Sequence, residues 1–95
     1  MTNVTAELFE SLVDQRITVT TSIGAEQWHL TEVKRRNAHS LRGDQPFSLY
    51  FSAPASNARQ QGMHACVLPD GETLEFFAVP IGATADSVAY EVIFN

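Results

Sequence analysis

Pro69-Asp-Gly-Glu-Thr-Leu-Glu-Phe-Phe-Ala-Val-Pro80, followed by Val88-Ala-Tyr-Glu-Val-Ile-Phe-Asn95, reads as a turn and two strands. Proline pre-sets φ at the start of the turn, and Gly71 can take the φ > 0 position that closes a hairpin carrying a bulge. Beyond the turn, Leu74, Phe76 and Ala78 alternate with Glu75, Phe77 and Val79, the period of a strand with two distinct faces.

Working outward from this hairpin, the rest of the chain divides by period. Thr5 precedes Ala6-Glu-Leu-Phe-Glu-Ser-Leu-Val13, where Leu8, Phe9, Leu12 and Val13 share a helical face. Thr5 can cap the first turn and Glu7 complements its positive end, so a short amphipathic helix is expected, ending near Asp14 to Arg16. The period then changes to two. Ile17, Val19 and Thr21 alternate with Thr18 and Thr20, with Gly24 the expected turn residue. Trp28 and Leu30 resume the alternation. Val33 falls out of phase, which calls for a bulge or strand end near it.

Pro46 and Pro54 bracket Phe47-Ser-Leu-Tyr-Phe51, a five-residue strand with Phe47, Leu49 and Phe51 on one face. Ser52 to Gly62 is polar and aperiodic, a surface loop, and His64 to Leu68 leads into the Pro-Asp-Gly turn. The expectation is a mainly β domain: six antiparallel strands in a small barrel or sandwich with one short N-terminal helix. With 95 residues, 44% of them hydrophobic, the chain makes one domain over residues 1–95.

Composition narrows function mainly by exclusion. Cys66 is the only cysteine, so neither an intramolecular disulfide nor a cysteine-based zinc cage can form, and a reducing compartment is the natural reading. No window reaches the roughly 18 consecutive apolar residues of a membrane span, and Met1-Thr-Asn-Val-Thr lacks the basic start of a signal peptide. A cytoplasmic protein follows, in which the Asn3-Val4-Thr5 sequon is accidental. The net charge of −5 argues against nucleic acid, whose phosphates call for clustered Lys and Arg.

The succession of helix, strand hairpin, Phe47-Ser-Leu-Tyr-Phe-x-x-Pro54, Gln61-Gly62 before a further strand, and a closing Tyr90-Glu-x-x-Phe-Asn95 resembles a family of small uncharacterised bacterial domains, a domain of unknown function. Phe76, Val79, Pro80 and Gly82 belong to the same pattern. Two departures stand out: His64 replaces the family's usual aromatic, and Ala55 to Arg59 replaces a proline-rich loop. The resemblance implies an accessory protein, some members being encoded near tail-fibre or tail-collar genes of phage type.

Three groups of residues could carry chemistry. His64-x-Cys66 puts an imidazole and a thiol on one strand face, but two ligands do not make a metal site, so no metal or cofactor is expected and Cys66 reads as a small buried hydrophobe. Lys34, Arg35, Arg36 and Arg42 are four of the six basic residues and, with His39, form a basic stretch suited to a small anionic ligand or an acidic partner, or else a solvated connection. Finally, Phe77, Val79 and Ile93 oppose the inward set. The helix can cover part of that second face, and the remainder would be an interface with another copy or a partner protein.

A non-enzymatic assembly or interaction module is therefore the favoured reading, with self-association or a protein partner. Anion binding through the Arg35 to Arg42 stretch is the alternative. An enzyme comes third: Glu72 and Glu75 beside a turn are explained by solubility, and nothing nominates a catalytic residue.

Overall fold

A computed structural model describes residues 5–21, 24–36, 46–54 and 62–94. After helix α1 (Ala6–Glu10) come strands β1 (Arg16–Thr21), β2 (Gly24–Arg35), β3 (Phe47–Pro54), β4 (Gly62–Val67), β5 (Thr73–Ala83) and β6 (Ser87–Phe94). The strands close into an antiparallel barrel in the order β1-β2-β3-β6-β5-β4. Of the two expected architectures, the barrel is the one adopted. Consecutive strands β3 and β4 are not neighbours, because β4 lies against β1 to complete the ring. That closing seam is short, with three pairs from Thr18–Val67 to Thr20–Ala65, and Val19 opposite Cys66 binds it from within.

A ring of so few strands leaves an interior that side chains fill completely. Trp28 stacks on Tyr90 with ring centroids 4.4 Å apart and meets Phe51 edge-on at 5.7 Å. Phe51 in turn lies against Phe76. All four rings are buried, so the barrel has a core where a wider one would have a lumen. The indole N–H of Trp28 donates to Glu26 Oε1 at 3.0 Å, which removes the cost of an unsatisfied polar group in the interior.

The strand expectations hold with shifted edges. β3 runs three residues past Phe51 to Pro54, which still pairs with Ser87, so Ser52 to Pro54 belong to a strand and not to the loop. The bulge in β2 falls at Thr31, between the pairs Leu30–Phe51 and Glu32–Tyr50, two residues before Val33. Thr31 Oγ1 fixes it by donating to the Tyr50 carbonyl at 3.0 Å. A second irregularity, between Pro80 and Gly82, sets Ile81 out of register in β5.

Helix α1 is shorter than its apolar stripe. It begins under the expected cap, with Thr5 Oγ1 accepting from Leu8 N at 3.2 Å, and ends at Glu10, where turn residues lead to Asp14 at φ +72°. It does not lie over the outer face of the C-terminal strands. Phe9 is fully buried, with its ring 6.1 Å from Phe47 and 6.0 Å from Phe94, so the helix plugs one end of the barrel. The physical reason is that Phe47 and Phe94 point inward at the barrel's rim and would otherwise face water.

The hairpin at Pro69 forms as read. Leu68 and Glu72 hydrogen-bond across it, Gly71 N donates to the Leu68 carbonyl at 2.8 Å, and Asp70 Oδ1 accepts from Glu72 N. Gly71 sits at φ +92°, a conformation that strains any side chain. Gly71→Val is therefore expected to cost about 1–3 kcal/mol, read as a lowered midpoint in chemical denaturation; an unchanged midpoint would contradict this turn.

Candidate functional site

The basic stretch does not present itself as one surface. The bulge at Thr31 resets the phase of β2, so that Val33 pairs with Leu49 and Arg35 with Phe47, both inward positions of β3. Arg35 is thereby directed over the end of the barrel where α1 sits. Its Nη2 and Nε donate to the two carboxylate oxygens of Glu10 at 2.7 and 3.0 Å, and Nη2 also reaches Glu7 Oε1 at 3.1 Å. This two-pronged contact is the strong form of a charge-assisted hydrogen bond. Lys34 and Arg36 are exposed and form no ion pair among the described residues. His39 and Arg42 lie outside the described residues.

Electrostatics follow the clamp. Glu7 is held below the usual carboxylate range by its own backbone N–H and then by Arg35, and Glu10 by its hydrogen bonds to Arg35. On the outer wall, Tyr50 donates to Glu91 Oε2 at 2.8 Å, and this bond to a carboxylate pushes the phenol above its ordinary value.

His64 and Cys66 both face the interior. His64 meets the edge of Trp28 with ring centroids 5.6 Å apart, and burial pushes the Cys66 thiol up to about 11, far from the thiolate a nucleophile requires. No group of three or more His, Cys, Asp or Glu residues is placed to hold a metal ion among the described residues.

The candidate interface residues do point outward. Phe77 and Ile93 are each 46% exposed, and Val79 is half-buried opposite Glu91. Register adds a residue that the sequence reading missed: Met63, 60% exposed, pairs with Phe77 across β4 and β5. One step beyond the Ala78–Val92 pair, Ile93 falls opposite Phe77 on the other side. Met63, Phe77 and Ile93 therefore form an apolar row across three strands, each within side-chain contact range of the next. The alternation in β5 and β6 located two members, but Met63 becomes legible only through its register with Phe77.

A groove of about 360 Å³ lies elsewhere on the outer wall, where β1, β2, β3 and the turn before β6 meet. By strand order Arg16 on β1 and His29 on β2 fall to one side, Ser52 on β3 comes next, and Ser87 with Asp86 before it falls to the other side. No sequence motif marked it, because its residues come from four separate segments.

The chain belongs to the family described as Domain of unknown function (DUF6916), which it matches over residues 4–94. Searches of the curated proteins and of the solved structures find no match. No helix among the described residues is long and apolar enough to cross a membrane.

The Arg35 clamp makes a signed prediction. Carboxylates held below their ordinary value of 4.5 stabilise the folded state above that value, and the contribution disappears as pH falls through their depressed values. Arg35→Gln should therefore lower stability at neutral pH and reduce the acid-induced loss between pH 5 and 3, seen in denaturant midpoints against pH. A variant with the parent's full acid sensitivity would contradict the clamp.

Proposed function

We propose that this domain is a non-enzymatic assembly or protein-interaction module that works in the cytoplasm and docks through the outer wall of β4, β5 and β6. The observation that carries this reading is the row of Met63, Phe77 and Ile93, three large apolar side chains left in water by a fold whose helix is engaged at the end of the barrel. Contiguous exposed apolar surface of this kind marks a contact with another protein more often than not. The filled interior supports the same reading, since it leaves function to the outside of the barrel.

A second copy of the chain is the simplest occupant, arranged as a two-fold dimer in which the same row meets itself. The suggestion that the larger assembly is phage-tail-like rests on the resemblance of Phe47 to Pro54 and of the closing Tyr90 to Asn95 motif to domains encoded near such genes. Binding of a small anion by the basic stretch is the second reading. Lys34 and Arg36, which lack ion-pair partners among the described residues, favour it, but Arg35 would have to leave Glu7 and Glu10.

Sedimentation at micromolar concentration tests the first reading. The parent should be a dimer whose unfolding midpoint rises with protein concentration, and Phe77→Asp should be a folded monomer with a lower midpoint that no longer depends on concentration, because the exposed side chain contributes to the contact and not to the core. A strictly monomeric parent, as soluble and stable as its Phe77→Asp variant, would contradict self-association through this face.

A further inference from the structure

The groove between β1, β2, β3 and the turn before β6 holds two opposite charges that do not neutralise each other. Its shape follows from the strand register. Arg16 pairs with His29, His29 with Ser52 and Ser52 with Ala89, so the outward row passes from a long cation to side chains of one or two heavy atoms. The next row ends in Pro54 opposite Ser87. Small residues between taller walls leave a depression of about 360 Å³, within the lower part of the roughly 300–1,000 Å³ range of small-molecule sites.

The charges at its ends are fixed differently. Arg16 projects from the first residue of β1, and its guanidinium has no ion-pair partner among the described residues. Asp86 belongs to a tight turn, in which Thr84 Oγ1 accepts from Asp86 N at 3.2 Å and from Ser87 N at 3.1 Å, and Thr84 N donates to the Ser87 carbonyl. The turn is thus held by the Thr84 hydroxyl and one backbone bond, and the Asp86 carboxylate takes no part in an ion pair among the described residues. His29 is differently placed, because its Nε2 lies 3.4 Å from Asp14 Oδ1. Gln27 Nε2 is held by Thr18 Oγ1 at 2.7 Å, which turns its carbonyl oxygen to other donors.

Three strand spacings of about 4.8 Å separate β1 from β6, and Asp86 lies three residues along the chain from Ala89 in the row of Arg16, a further offset of up to about 10 Å; the long arginine side chain covers much of the resulting span, so the two charges stand on the order of 10 Å apart. That is too far for a direct salt bridge and suits a ligand with opposite charges at its two ends. A free α-amino acid is too short to reach both. An extended chain of three residues spans about 10 Å.

We propose that this groove binds a short zwitterionic peptide of about three residues, its carboxylate on Arg16, its ammonium on Asp86, and its backbone amides over Gln27, Ser52 and Ser87. The site is independent of the apolar row on β4, β5 and β6, so either can fail without the other.

The test is a titration of the full chain with triglycine, followed by amide NMR shifts. Triglycine is expected to produce saturable shifts at Arg16, Gln27, His29, Ser52 and Asp86, leaving Met63, Phe77 and Ile93 unmoved. N-acetyl-triglycine and triglycine amide should each bind about tenfold more weakly or worse, since each removes one charge-assisted contact. Arg16→Gln and Asp86→Asn, both surface changes, should each do the same to triglycine. Absence of localised shifts at millimolar triglycine, or equal affinity for the blocked peptides, would overturn the proposal.

Discussion

Closing six strands into a ring around one tryptophan is the constraint on which the rest of this structure depends. Trp28 lies against Tyr90, Phe51, Phe76 and His64, one residue from each of four other strands. Every strand must therefore keep its phase, because a slip of one residue would turn its inward set to water. Where the sequence cannot keep phase over a long strand, as between Leu30 and Val33, a bulge restores it. The bulge also decides which way Arg35 points, and so where the helix is anchored.

The same constraint sorts structure from function. The interior is occupied by the buried rings of Trp28, Tyr90, Phe51 and Phe76, and burial holds Cys66 there as a thiol. Among the described residues, the outside carries an apolar row over β4, β5 and β6, and a polar groove over β1, β2, β3 and the start of β6. The short β1–β4 seam lies between them, three ladder pairs long, with Val19 opposite Cys66 on its inner side.

Much of the fold was legible because period and turn chemistry are local. The Pro-Asp-Gly turn, the six strands and the cap at Thr5 all follow from neighbouring residues. The helix's destination was not legible, since an apolar stripe states only that it is buried, and the end of the barrel competed with the outer face. The basic stretch was misleading for a related reason: proximity in sequence joined Arg35 to Lys34 and Arg36, whereas strand alternation and the bulge separate them. The groove and Met63 exist only through register, a long-range property that a single strand's pattern does not contain.

The barrel is solid, and the chain's single tryptophan reports on that directly. Emission of native Trp28 should be shifted to the blue and insensitive to iodide, with quenching appearing only on unfolding. Red-shifted emission that iodide quenches in the native protein would mean that water reaches the interior, and would contradict this account.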